Sequence, residues 1–171
     1  MTTGRGGKYD VERTSIRVVL LDAAGAVLLL LTCDPVNPSV GTWWELPGGG
    51  VETDESAVQT AARELREETG FDVPATEIAG PTWRRSATFL RGRKRTLQHE
   101  LVVRAVIPRV APIPNSALRT PEELRAIIGH RWWSTADVIA STERFYPGRL
   151  PQYLDEFLTG IEIDEPFEEW S

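Results

Sequence analysis

The stretch 48-GGGVETDESAVQTAARELREETGF-71 decides how this chain is read. It runs from a glycine-rich loop into an amphipathic helix. Ser56 is a good N-cap, and Gln59 three positions on completes a capping box. Val58, Ala61, Ala62 and Leu65 form one apolar stripe that faces a core, and the alanines let the helix sit close to a sheet. Gly70 supplies the left-handed residue that ends the helix. Glu64, Glu67 and Glu68 stand at i, i+3 and i+4, neighbours on a face that adjoins the stripe and stays exposed while the stripe is buried. Three carboxylates this close repel one another, and a divalent cation removes that penalty. Hard oxygen ligands suit Mg2+, with Mn2+ as its substitute.

Working outward, the 171 residues are enough for one domain with a sizeable core, and 41% apolar and 26% charged content is ordinary for a folded chain. A net charge of −6 speaks against nucleic-acid or anionic-membrane binding through bulk electrostatics. A single cysteine, Cys33, leaves no intrachain disulfide and points to a reducing, cytoplasmic setting. The start of the chain shows no apolar targeting segment, and the run Val18–Leu31 is too short to span a membrane and is broken by Asp22 and Gly25.

Upstream, Ile16–Leu21 and Ala26–Thr32 read as buried strands joined by the turn Asp22–Gly25. Trp43–Leu46 is a short strand ending at Pro47. Downstream, Thr82–Leu90 and Thr96–Val106 read as strands around the tip Arg91–Lys94, with Ala87, Phe89, Leu97, Leu101, Val103 and Ala105 on one buried face. Pro121–Ile128 is a short helix capped by Thr120, His130–Trp133 a strand, and Leu150–Leu158 an amphipathic helix ended by Gly160. Strands and helices are mixed without strict βαβ alternation, which favours an α/β layered sandwich with a mixed sheet. The expected organisation is a flexible arm over 1–10, one domain over 11–160 and an acidic tail over 161–171. The glycine run is not a P-loop, because no Gly-Lys-Ser/Thr follows it.

Gly49, Glu55, Arg63-Glu64-Leu65, Glu67-Glu68 and Gly70-Phe71 stand at the spacing of the Nudix box, and the chain resembles the Nudix hydrolase family at every defining position. The Trp-x-Leu-Pro-Gly-Gly entry and a Trp-Trp-Ser corner near the end add to the likeness. The resemblance implies a Nudix-type α/β/α sandwich with a mixed β-sheet. It implies Mg2+-dependent hydrolysis of a pyrophosphate bond in a nucleoside diphosphate linked to another moiety, such as a sugar or a second nucleotide. A (d)NTP pyrophosphohydrolase of the pool-cleaning type is the alternative, and a non-catalytic nucleotide sensor is the second. By position, Glu64 and Glu68 are metal ligands, Glu67 is a third ligand or acts through water, and Gly48 offers its carbonyl. Arg63 orients a neighbouring carboxylate bidentately, and Glu55 is a structural partner. The general base is open between a box glutamate, Glu64 or Glu67, and Glu100 on the later strand. Arg84, Trp43 and Trp44 are candidates for substrate binding, with Arg84 and Arg85 on opposite strand faces so that at most one lines the site. The expected partner is a small-molecule nucleotide, without nucleic acid or membrane, and the family admits a homodimer.

Overall fold

The computed structural model describes residues 8–171. Of the expected N-terminal arm, residues 1–7 lie outside the described residues, while the Asp10 N–H donates to the Arg95 carbonyl at 2.8 Å. Strands β1 (Val11–Leu21) and β2 (Val27–Cys33) form the first hairpin. Its turn is tied by Asp22, whose Oδ1 accepts from the N–H groups of Ala24 and Ala26 at 2.9 and 2.8 Å. Then come β3 (Thr42–Glu45), β4 (Gly48–Gly50) and helix α1 (Ala57–Thr69). The long pair β5 (Ala79–Arg91) and β6 (Lys94–Val106) follows. The chain continues through α2 (Pro121–Ala126), β7 (Ile127–Trp133), α3 (Thr135–Ala140), β8 (Phe145–Tyr146) and α4 (Leu150–Leu158). It closes with β9 (Ile163–Asp164) and β10 (Glu168–Glu169).

The strands make one mixed sheet with the order β10-β5-β6-β1-β2-β3-β8, while β4 pairs with β1, β7 with β2 and β9 with β5. β1 runs parallel to β6 from Val11↔Thr96 to Leu21↔Val106. Both faces of the sheet are covered, which is why β1 and β2 read as unbroken apolar runs. Ile16, Val18, Leu20, Leu28, Val103 and Ala105 pack on one side with Ala61 and Leu65 of α1. Val19, Val27, Leu29, Trp83 and Val102 pack on the other with Val138 of α3 and Leu150, Leu154 and Phe157 of α4. The α/β/α layering with a mixed sheet is therefore what the chain adopts.

Two expectations are corrected. Ala87 and Phe89 pair with Gln98 and Thr96, so they share the face of those residues and of Glu100 and Val102. Leu101, Val103 and Ala105 point the other way, toward α1. A sheet covered on both sides needs no single apolar face. The acidic segment 161–171 is not a loose tail: β9 and β10 add parallel to β5, with Ile163 opposite Trp83 and Glu168 opposite Ala87. Glu165 and Glu168 are buried because they meet Arg85, whose side chain is fully buried.

Candidate active site

α1 begins and ends as its local signals dictate. Ser56 accepts from the Gln59 N–H at 3.3 Å, Gln59 returns the bond to the Ser56 N–H at 2.8 Å, and Gly70 closes the helix at φ 74°. These caps fix the helix phase, and the phase sets where each carboxylate goes. Glu64 and Glu68 are buried, not exposed as expected, because α1 lies against β4. The Gly48 N–H donates to Glu68 Oε2 at 2.8 Å. Burial, and then the charge of Glu64, push the Glu68 carboxyl well above the ordinary range, and burial likewise raises Glu64. Two buried carboxylates without enough positive charge make a centre that calls for a cation.

Arg63 holds Glu55 bidentately, at 2.7 and 2.9 Å. The same guanidinium reaches Glu64 Oε1 at 2.8 Å, Glu67 Oε2 at 3.2 Å and the Gly50 carbonyl at 2.9 Å. The Arg63 hydrogen bonds hold the Glu55 carboxyl down at about 2.

The glycines are needed for two different reasons. A Cβ on Gly48 would overlap the Ile16 carbonyl, at a φ of +144° that side chains rarely adopt, whereas one on Gly49 would overlap only the Glu64 carboxylate. Gly48→Ala is therefore expected to lower thermal stability. Gly49→Ala is expected to keep the fold and displace Glu64, so that metal affinity falls while Tm changes little; thermal melts with and without Mg2+ separate the two.

The third carboxylate comes from elsewhere in the chain. Glu64, Glu68 and Glu123 of α2 can bring one oxygen each within 4.8 Å of one another. Three hard oxygen donors in a partly buried site fit Mg2+ or Mn2+. Glu123 is the N3 residue of the α2 capping box, which the sequence displays, but its approach to Glu64 and Glu68 depends on the folded chain. Glu67 is not among the residues lining the cleft; its side chain is 37% exposed and faces Arg63.

A cleft of about 660 Å³ opens beside these carboxylates, lined by Gly48–Gly50, Glu64, Glu68, Trp43, Glu45, Arg13, Arg17, Tyr146 and Trp170, with Arg91 and Lys94 from the β5–β6 tip. Burial and the nearby Arg91 and Arg17 charges lower the Arg13 pKa, the mark of cations crowded together. Arg13 has no carboxylate within 4.0 Å among the described residues, and its Nε donates to Gln98 at 2.6 Å. The cleft thus sets a carboxylate cluster beside a group of arginines.

Three sequence-based candidates lie elsewhere. Arg84 is exposed, on a separate groove with Tyr9, His99 and Phe167, because the alternation of β5 turns Arg85 inward instead. Trp44 packs edge-on against Trp133, with ring centres 5.3 Å apart, in the core on the α4 side. Glu100 is sealed beneath the cleft. Its Oε1 accepts from Arg17 and Gln98, and its Oε2 from Arg85 and from Tyr146 Oη, the last at 3.0 Å. Burial opposes its ionised form, but Arg17 and Arg85 outweigh burial and hold its carboxyl below the ordinary range. A carboxylate so paired and held so low is poorly suited to proton abstraction.

No helix among the described residues is long and apolar enough to cross a membrane. The sequence profile of the NUDIX domain matches residues 11–155. An RNA pyrophosphohydrolase of Dinoroseobacter shibae is 40% identical over 70 residues, 41% of each chain. An 8-oxo-dGTP diphosphatase of Proteus vulgaris is 46% identical over 39 residues, 23% of this chain and 35% of that one. The matched part thus spans less than two thirds of the length of these relatives. Among solved structures, the NUDIX domain of Shewanella oneidensis NrtR, complexed with ADP ribose, superposes with a TM-score of 0.57 at 22% identity, covering 88% of this chain and 90% of that one. An Ap4A hydrolase of C. elegans gives a TM-score of 0.55 at 18% identity, covering 87% and 99%. At such identities the likeness is one of fold. With the profile matching residues 11–155, most of its length, and the box residues Gly49, Glu64 and Glu68 lining one cleft, this chain belongs to the NUDIX domain family.

Proposed function

We propose that the chain is a divalent-metal-dependent pyrophosphohydrolase that cuts a phosphoanhydride bond in a nucleoside diphosphate linked to another moiety. The observation that carries this reading is the pairing, in one cleft, of the Glu64–Glu68–Glu123 cluster with the uncompensated Arg13. A polyphosphate would be repelled by the carboxylates alone, and a cation by the arginines alone. A Mg2+ ion held by Glu64, Glu68 and Glu123, with the Gly48 carbonyl beside them, would polarise a phosphoryl oxygen and lower the pKa of the attacking water.

The remaining work falls to the chain. Arg63, locked by Glu55, keeps the Glu64 carboxylate aimed, and the Gly48 N–H does the same for Glu68. Arg13, with Lys94 at the rim, neutralises substrate phosphates and sets them in line for displacement. Glu67 is the most open of the three box glutamates; it acts through water and takes the proton of the attacking molecule. Trp43 lines the organic end of the cleft.

A second reading is hydrolysis of a nucleoside 5′-triphosphate, free or at an RNA end. The activities for which the D. shibae and P. vulgaris relatives are named favour it. The net charge of −6 is a sum over the whole chain, whereas Arg13 and Lys94 stand in this cleft without a carboxylate partner within 4.0 Å among the described residues, so the phosphates of a nucleic-acid 5′ end are compatible with it. A screen of ADP-ribose, diadenosine tetraphosphate, dGTP and 5′-triphosphorylated RNA with Mg2+, read by phosphate or pyrophosphate release, tests both readings. Turnover of at least one is expected. Binding without turnover of any would sink both and leave a nucleotide sensor.

A further inference from the structure

The family match ends at residue 155, yet the cleft does not. One residue of its lining, Trp170, comes from the segment after α4, which the sequence alone presents as an acidic tail. That segment is fastened at several points. Glu165 accepts from the Trp83 ring N–H at 2.9 Å, from Arg85 at 3.0 Å and from Arg149 at 2.9 Å, and Glu168 meets Arg85. The Trp170 main-chain N–H donates to the Thr88 carbonyl at 2.9 Å. These bonds set one side chain, Trp170, at the aromatic end of the cleft.

The Trp170 ring meets Trp43 with centres 5.0 Å apart and planes at 73°, and Tyr146 at 5.2 Å and 89°. The Arg144 guanidinium lies 3.8 Å from its centre. Its Nε1–H donates to the Phe145 carbonyl at 2.9 Å. The one polar atom of the indole is thus satisfied within the protein and Arg144 lies over one face of the ring, so what the half-buried ring offers the cleft is its remaining apolar surface. Phe89 and Tyr146, 5.6 Å apart and edge-to-face, line the same cleft. The Arg17 guanidinium lies 4.9 Å from the Tyr146 ring centre, and Arg17 pairs in the sheet with Gly48, whose N–H holds Glu68. A chain of contacts therefore links the carboxylate cluster to the aromatic wall through a cation.

We propose that Trp170 is a substrate-binding residue that takes the nucleobase of the substrate against the Trp43–Trp170 wall. The inference rests on the phosphoanhydride reading for the identity of the other end of the ligand. A polyphosphate has no use for aromatic surface, and a ribose is polar. A flat base leaves water readily for such a wall, and stacking on aromatics tolerates any base.

The test is calorimetric binding of ADP and of inorganic pyrophosphate, each with Mg2+, to the full chain and to Trp170→Leu and Trp170→Phe. Leucine keeps apolar bulk and removes the π-face; phenylalanine keeps both. Trp170→Leu is expected to weaken ADP binding about ten-fold, in the range that base–aromatic stacking carries. Pyrophosphate binding should stay unchanged, and Trp170→Phe should retain most of the ADP affinity. An equal loss for ADP and pyrophosphate would reduce Trp170 to a packing residue and overturn the inference, as would unchanged ADP binding in Trp170→Leu. If the parent chain binds ADP in this Trp170-dependent way but cleaves none of the screened nucleotides, the hydrolase reading fails and this one stands. Parent chain that binds pyrophosphate and not ADP would overturn the nucleobase assignment and leave the phosphate site intact.

Discussion

Glu68→Gln is expected to yield a protein that melts at a higher temperature than its parent and turns over substrate about 10³-fold more slowly. The slow turnover follows from the several kcal/mol of transition-state stabilisation that a bound cation supplies, at about 1.36 kcal/mol per decade of rate. The higher melting temperature follows from burial. The Glu68 carboxyl is pushed up by burial and by Glu64, so its charged form opposes folding at neutral pH. A raised carboxyl pKa means that stability falls as pH rises from the unfolded value through the folded one, and the amide removes that loss. Its carbonyl still accepts the Gly48 N–H. A gain of about 1 kcal/mol, ordinary for relief of this kind, is roughly 2–4 °C for a chain of this size.

Adding Mg2+ should reverse the ranking. At about 100 times its Kd, Mg2+ stabilises the parent by about 2.7 kcal/mol, and the variant should gain much less. Glu67→Gln is the contrast: if Glu67 takes a proton through water, turnover falls while the Mg2+-dependent rise in Tm is kept. Thermal melts with and without Mg2+, alongside rate assays, check all of this. A Glu68→Gln protein with undiminished turnover would contradict the metal assignment.

The largest loss of stability is expected at Arg85. Its fully buried guanidinium is bonded to Glu100, Glu165 and Glu168, and Glu100 is bonded in turn to Arg17 and Tyr146. Arg85→Met leaves three carboxylates facing one another with Arg17 and Arg149 as their remaining cations. Removing one partner from a buried ion cluster costs about 3–5 kcal/mol. At about 2–4 °C per kcal/mol, Tm falls by roughly 10 °C. The deficit should shrink as pH is lowered toward 5, because carboxyls left unpaired in burial take up protons early. Adding Glu168→Gln to the variant should recover part of the loss. Melts of the three proteins at pH 8 and pH 5 measure it; an unchanged Tm in Arg85→Met would show that the cluster adds no net stability.

What the sequence revealed and what it hid divide along the range of the interactions. The caps of α1, its apolar stripe and the role of Arg63 all involve residues within about two turns or one loop, so the spacing alone displays them. The general layering was legible because β1 and β2 are apolar throughout, as strands covered on both sides must be. Glu123 joins Glu64 and Glu68 only because the folded chain brings α2 to the same cleft as the box helix. The fastening of the acidic tail was not legible because its partner, Arg85, lies some 80 positions away. The one local hint was in β6. Gln98 and Glu100 interrupt its alternation, and their polar face is the buried lining that Arg17, Arg85 and Tyr146 require.

The parallel pairing of β1 with β6 has a consequence for the order of events as the chain folds. The cleft arginines Arg13 and Arg17 ride on β1, yet the strand that seats them, β6, begins at Lys94. Arg13 and its bonding partner Gln98 are separated by 85 positions. Closing so long a loop before any contact rewards it makes such pairings slow. While the chain is being synthesised, α1 can wind and cap itself, but β1 keeps an unpaired apolar edge until more than half the protein has emerged. Glu64 and Glu68 are thus set on their helix early by local rules, whereas Glu123 and the seated arginines arrive late. Nucleotide affinity should therefore be among the last native properties to appear during refolding.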